Sequence, residues 1–310
     1  MRPLWKDILA AAWLGILIPG IVLNAAVLFT RQPTQEVAVE TRPEPSETVL
    51  LTLDTGDTTL SMEEYLTGVV LAEMPASFHT EALKAQTVAA GTYARKSAKH
   101  EGSLCGNPDC CQAYISPEDY ILKGGTPEDA EKVRQAVMAV TPYVLMYEDE
   151  LIEAVYFSSS GGKTESALAV WGADFPYLQS VESPAEEAVN YQNRLHTFSI
   201  SDFQNHLNIQ LTGPQEKWFS NVIYTEGGGV ESIIIGETEF SGVQIRRLLN
   251  LPSTAFSITA SENEVFILTN GYGHRVGLSQ YGANSMAKQG YTFQEILSHF
   301  YPETNLVSME

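Results

Sequence analysis

From Ile8 to Phe29 the chain carries no charged residue and is rich in Leu, Ile, Val and Ala. About 20 apolar residues are needed to cross a bilayer core as a helix, and a membrane helix tolerates the interruption at Pro19 and Gly20 better than a soluble one. Arg2 and Lys6 precede the run and Arg31 follows it, so the balance of positive charge, though narrow, puts the N-terminus in the cytoplasm. Residues 1–30 therefore read as a cytoplasmic tip and transmembrane anchor. The competing reading is a cleaved signal peptide, for which the stretch is long and lacks a clear small-x-small site after it. Residues 31–48, with three prolines and no periodic apolar face, read as a disordered tether.

Periodic patterning begins at Val49-Leu-Leu-Thr-Leu, an alternating strand that ends at an Asp54–Asp57 turn. Ser61-Met-Glu-Glu64 is a capping box opening a helix with the stripe Met62, Tyr65, Leu66, Val69 and Val70. A second helix is predicted over 80–99, a Cys-rich loop over 100–111 and a helix over 127–139. Strand-like runs follow at Ile152–Ser158, Val230–Ile235 and Glu264–Thr269. The chain returns to helix over Leu278–Gln289, closed by Gly290, and Thr292-Phe-Gln-Glu295 opens a last short one. Helices near both ends and strands between predict one α+β domain over 49–303.

The composition, 44% hydrophobic and 18% charged, is that of a globular protein. A net charge of −20 excludes a nucleic-acid partner, which requires clustered Lys and Arg.

One acidic residue breaks the pattern. Glu73 lies three residues past Val70 and four past Val69, on the apolar stripe, with no Lys or Arg three or four residues away. It also falls in the last helical turn, before Met74-Pro75, where the helix dipole is negative. Burial and dipole both raise a carboxyl pKa, and a carboxyl that is protonated near neutrality suits a general acid for a glycosidic oxygen. A carboxylate capping a neighbouring backbone N–H has the same signature, so position alone leaves both readings open.

The segment Tyr65-Leu-Thr-Gly-Val-Val-Leu-Ala-Glu73-Met-Pro-Ala-Ser-Phe-His-Thr-Glu-Ala-Leu-Lys-Ala-Gln86 resembles the signature of the stage II sporulation protein D family. Three further blocks match in order: Tyr156-Phe-Ser-Ser-Ser-Gly-Gly-Lys-Thr-Glu165, Trp171-Gly-Ala-Asp-Phe-Pro-Tyr177 and Gly271-Tyr-Gly-His-Arg-Val-Gly-Leu-Ser-Gln-Tyr-Gly-Ala-Asn284. The resemblance runs from about Val49 to Pro302. It implies a membrane-anchored, extracytoplasmic lytic transglycosylase that cuts peptide-free peptidoglycan between N-acetylmuramic acid and N-acetylglucosamine, leaving 1,6-anhydro-muramic ends, during sporulation and engulfment. The implied catalytic residue is Glu73, with no cofactor required for the reaction. The implied place is the space between mother-cell and forespore membranes, beside the amidase stage II sporulation protein P and the membrane protein stage II sporulation protein M. An internal nucleophile, the muramic C6 hydroxyl, removes the need for the second carboxylate of ordinary glycosidases, and none stands out in the sequence. One departure is Gly91, where the family pattern leads us to expect Arg.

His100, Cys105, Cys110 and Cys111 sit within twelve residues. They suit a structural zinc site; outside the cytoplasm a disulfide with one thiol left over is the rival. The resemblance implies two Cys and two His for such a site in some relatives. Here Cys110 replaces a His, and His100 is one residue out of step. Ser158, Ser159 and Ser160 are expected to line a sugar groove or to form a tight turn; the Gly-Lys-Thr that follows fails the P-loop pattern, because Phe157 stands where its first Gly belongs. His274, Gln280 and Tyr281 are expected to bond or stack against sugars, or to pack a glycine-rich corner. Trp171, Tyr177 and Trp218 are candidate stacking rings. His79, His196, His206 and His299 have no metal-like spacing. The competing functions are a non-catalytic glycan-binding or amidase-enhancing module and a zinc hydrolase built on the Cys loop, which would need an open metal position that this thiolate-rich set lacks.

Overall fold

A computed structural model describes residues 47–53, 56–96, 103–108, 110–183, 186 and 189–309. The expected anchor, nearly all of the tether, and His100 lie outside the described residues. Among the described residues no helix is long and apolar enough to cross a membrane.

The first third contains β1 (Thr48–Leu53), β2 (Gly56–Ser61), α1 (Met62–Glu73), α2 (Thr80–Lys96), β3 (Ser103–Cys105), α3 (Pro117–Leu122) and α4 (Pro127–Met138). β4 (Tyr143–Tyr147), β5 (Glu150–Leu151), β6 (Tyr156–Phe157) and α5 (Ala167–Trp171) follow. Next come β7 (Arg194–Ser199), α6 (Ile200–Leu207), β8 (Phe219–Tyr224), β9 (Val230–Ile235), β10 (Thr238–Ser241), α7 (Gly242–Leu248), β11 (Ala255–Ala260) and β12 (Glu264–Asn270). The chain ends with β13 (Leu278–Ser279), α8 (Gln280–Lys288), α9 (Phe293–Phe300) and β14 (Asn305–Ser308).

Among the described residues the strands form five small sheets, so the architecture is mixed α and β with helices towards both ends. Several boundaries differ from expectation. β1 starts at Thr48 because Glu47 is tied down: Arg95 pairs with its carboxylate, and Met62 N donates to its carbonyl at 3.1 Å. At the other end, β14 pairs antiparallel with β4, carrying the fold past residue 303. The expected strand over Ile152–Ser158 shrinks to β6, which pairs in parallel with β13 and so joins distant parts of the chain.

The apolar residues sort into three cores. One packs α1, the buried face of α4 and β1; a second packs α2 against α8, α9 and β4. The third, around Phe203, Ile233, Ile245 and Ile267, is drawn wholly from residues 198–267. That stretch is a lobe inserted between β6 and β13, with two three-stranded antiparallel sheets and helices α6 and α7. A fully buried ion pair fastens it to the body: Arg275 Nη1 donates to Glu165 at 3.1 Å, and Nη2 donates to the Gly227 carbonyl at 2.6 Å. Glu165 in turn accepts from Thr225 Oγ1 at 2.8 Å and Gly229 N at 2.9 Å, both in the lobe.

Candidate active site

The capping box forms as its spacing requires: Ser61 Oγ accepts from Glu64 N at 3.2 Å, and the Glu64 carboxylate accepts from Ser61 N at 2.8 Å. Twelve residues on, α1 stops at Glu73, with Met74 extended ahead of Pro75. The whole stripe is buried, and so are Thr67, Gly68 and Leu71, since the chain at 113–115 covers the face opposite α2 and α4. Gly68 makes that cover possible. A Cβ there would lie 2.2 Å from the Tyr114 ring, and Ile115 N donates to the Gly68 carbonyl at 3.2 Å.

Glu73 is half-buried at the edge of a cavity of about 620 Å³, and among the described residues it is the only carboxylate lining it. Loss of water around it pushes its carboxyl above the ordinary glutamic acid value, against the lowering effect of one hydrogen bond, from Ala113 N to Oε1 at 2.8 Å. Beside it the Tyr156 hydroxyl donates to Gln112 Oε1 at 2.7 Å, while Gln112 Nε2 donates to Tyr65 Oη at 3.1 Å and to the Ala90 carbonyl at 3.4 Å. Burial, with the Glu73 charge behind it, holds the Tyr156 phenol well above its usual value, so it stays protonated.

The other expected site residues divide. Ser158 lines the cavity. Ser159 and Ser160 are fully buried and turn away, both donating to Glu186 at 2.6 Å; they order the loop rather than face the cavity. Gln280 lines it, its Nε2 3.5 Å from Gln86 Oε1. His274 lines it too, with its Nδ1 accepting from Val276 N at 3.1 Å. Burial, helped by the Arg246 charge, lowers its pKa to about 4 against a hydrogen bond with the Tyr156 backbone, so the ring is neutral at pH 7. Tyr281 stands at the border, edge-on to Phe78 and Tyr191. Of the candidate stacking rings, Trp171 is exposed and 5.2 Å from the His274 ring, Tyr177 is buried in the core, and Trp218 lies in the inserted lobe. Tyr272, exposed, and Tyr191, 4.8 Å from it, are lining rings that sequence reasoning did not single out. Tyr272 belongs to the Gly271–Asn284 block, whereas nothing local marks Tyr191.

Cys105, Cys110 and Cys111 converge, all three sulfurs within 4.8 Å of one another. Zinc–sulfur bonds of about 2.3 Å separate the sulfurs of a tetrahedral site by roughly 3.8 Å, so the set fits a thiolate-bound metal with modest adjustment. Cys110 and Cys111 Sγ, 4.0 Å apart, are far beyond the roughly 2.05 Å of a disulfide. Burial pushes the Cys111 thiol up to about 11, unlike a catalytic nucleophile. The cluster leads straight into the cavity wall: Cys111 and Gln112 line it, and Ala113 holds Glu73. At Gly91 the missing side chain leaves room for Leu66 and Arg95, whose Nη1 would lie 2.9 Å from an added Cβ. Arg95 fills that space and pairs with Glu47, so a charge is kept where the expected Arg would have stood.

A profile of the family described as Stage II sporulation protein (SpoIID) matches residues 56–147. Stage II sporulation protein D of Bacillus amyloliquefaciens is 37% identical over 251 residues, covering 78% of this chain and 73% of its own length. Stage II sporulation protein D of Bacillus subtilis (strain 168) is 36% identical over 261 residues, covering 80% and 74%. A Bacillus subtilis protein named Amidase enhancer is 28% identical, over 78% of this chain and 40% of its own.

Proposed function

The chain belongs to the stage II sporulation protein D family, whose role is in sporulation, and on that footing we propose that it is a lytic transglycosylase acting on peptide-free peptidoglycan strands. One observation carries the reading: a desolvated carboxyl, Glu73, the only one among the described residues that lines a cavity of about 620 Å³. Neutral Glu73 protonates the oxygen between N-acetylmuramic acid and N-acetylglucosamine as the C1–O bond breaks towards an oxocarbenium-like state. The ionised carboxylate then takes the proton of the muramic C6 hydroxyl while that oxygen closes on C1. The proton returns to Glu73, no water is consumed, and the product ends in 1,6-anhydro-muramic acid. The Ala113 N–H steadies Oε1 during the ionised interval. Ser158, Gln280, Tyr191 and Tyr272 contact the sugars. His274, neutral and with Nδ1 committed to the backbone, gives the wall its shape and takes no part in the proton transfer.

Cys105, Cys110 and Cys111, with His100 as the expected fourth donor, would hold a structural zinc whose chemistry is confined to fixing the segment that supports Glu73. The protein would act from a membrane anchor on the extracytoplasmic side, between mother-cell and forespore membranes, alongside stage II sporulation protein P and stage II sporulation protein M. A second reading is a glycan-binding module that enhances an amidase, favoured by the relative named Amidase enhancer.

The test is to incubate the chain and its Glu73→Gln variant with peptide-free glycan strands and identify the products by mass spectrometry. Anhydro-muramic ends from the wild type alone are expected. Reducing ends would point to a water-using hydrolase, and an absence of products would favour the binding module.

A further inference from the structure

A second cavity, of about 760 Å³, takes in the first turns of α1, at the opposite end of that helix from Glu73, and no residue lines both cavities. Its apolar lining comes from Leu53 of β1, Leu60 of β2, Tyr114, Ile115 and Pro117. This wall is held in place without any ligand. The Tyr114 ring stacks on Tyr65 with centroids 6.1 Å apart, and Ile115 N donates to the Gly68 carbonyl at 3.2 Å. The helix that continues the wall, α3, has no buried residue, and its Ile121 and Leu122 are exposed, Leu122 by 82%. A preformed hollow of this size beside exposed apolar side chains has the character of a binding surface.

Charge decides what fits it. Four carboxylates, Glu63, Glu64, Glu118 and Asp119, line the groove against two cations, Lys123 and Arg134. Arg134 is already held by Glu131 at 2.8 Å and by Glu63 at 3.7 Å. Glu118, Glu64 and Asp119 gather round the Tyr114 ring: after burial, their charges push its phenol up. A second copy of this chain would bring a net charge of −20 to the groove. Residues 31–46 would bring Glu36, Glu40 and Glu44 against Arg31 and Arg42. Both meet charge of their own sign, as does an anionic glycan strand.

We propose that this groove is a docking site for a segment of another protein that carries Lys or Arg among apolar residues. The apolar side chains of the segment pack on Leu60, Tyr114 and Ile115, and its cations meet Glu64, Glu118 and Asp119 at the rim. Because the two cavities share no lining residue, a docked segment leaves the Glu73 cavity unfilled. The assignment stands apart from the glycan-cleaving reading and survives its failure.

The experiment measures binding of three fluorescein-labelled peptides of one length to the full chain, by anisotropy at low ionic strength. The first intersperses Lys with Leu and Tyr, the second has Glu for every Lys, and the third has Ser for every Leu and Tyr. Saturable binding is expected for the first alone. E118K/D119K reverses two rim charges, and T58W fills the groove from β2 without removing a core side chain. Each should weaken that binding about tenfold or more. E237K/E239K makes the same charge change at exposed positions of the inserted lobe and should leave it unchanged. An unchanged thermal midpoint shows that each variant folds. Absence of saturable binding overturns the proposal, as does equal binding of the Ser peptide or equal weakening by E237K/E239K, which mark general attraction to an acidic surface. Undiminished binding by both groove variants overturns it as well. Displacement of the first peptide by a synthetic peptide of residues 31–46, or a wild-type dimer in sedimentation that T58W dissociates, assigns the groove to this chain itself and overturns the partner named here.

Discussion

Glu73 and Glu186 are both largely removed from water, yet their environments drive them in opposite directions. Among the described residues Glu73 accepts one hydrogen bond, from a backbone amide, and its carboxyl is pushed up. Glu186 accepts from the hydroxyls of Ser159, Ser160, Ser183 and Ser279 at 2.6–2.7 Å, and from the N–H groups of Ser160 and Gly161. Burial alone would raise Glu186 as well, but those donors outweigh it and hold the carboxyl below its usual range. Burial therefore does not make an acid catalyst; the number of donors facing the carboxyl decides between a proton carrier and a permanent anion.

The comparison breaks most sharply at Glu73. Glu73→Gln should lower cleavage by about 10²–10⁴-fold, the usual contribution of a general acid, while leaving the thermal midpoint at pH 7 unchanged or slightly higher. Its folded pKa is raised, so it favours the fold below the unfolded carboxyl value, and that contribution is lost as pH rises through the folded value. Glu186→Gln should do the reverse. We expect a loss of about 2–4 kcal/mol in urea unfolding, from hydroxyls left facing a weaker acceptor. A cavity residue such as Glu73 showing the larger stability loss would contradict the contrast.

The pH dependence separates them again. Cleavage should decline on the alkaline side as Glu73 loses its proton, with a midpoint above that of an ordinary glutamic acid. Stability owed to Glu186 is present above the unfolded carboxyl value and disappears as pH falls through its lowered folded value, so wild type should lose more stability on acidification than Glu186→Gln does. Gly68→Ala offers a finer probe. The new Cβ pushes Tyr114 and its neighbours off α1, removing the Ala113 bond that lowers the Glu73 pKa, so the alkaline midpoint of the rate profile should move up. Ser183→Ala, taking one hydroxyl of four from Glu186, should cost about 1 kcal/mol in the same unfolding assay.

What was legible in the sequence was what is encoded locally. The capping boxes at Ser61 and Thr292 both form, and the apolar stripe of α1 marked the face on which Glu73 lies. β2 was missed because Asp57, Thr58 and Thr59 give no apolar alternation; it is a strand because it pairs with β1. Glu186 was invisible for a different reason. Its four serines come from positions 159, 160, 183 and 279, and no window of sequence contains them all. The same holds for the Tyr65–Gln112–Tyr156 chain beside Glu73. Ser159 and Ser160 are expected with Ser158 to line a sugar groove or form a tight turn; the backbone turns both inward to the Glu186 carboxylate.

The inserted lobe has a consequence for how the chain reaches its native state. Its core is contiguous, within residues 198–267, so its sheets close on short loops. The body cannot do this, since β6 must find β13 and α2 must find α8 across the whole insertion. Chain-closure entropy rises with loop length, and non-local pairing slows folding. A lobe that condenses early shortens the effective gap between Phe157 and Leu278, turning a search over a long flexible loop into the docking of two ends held by a folded unit.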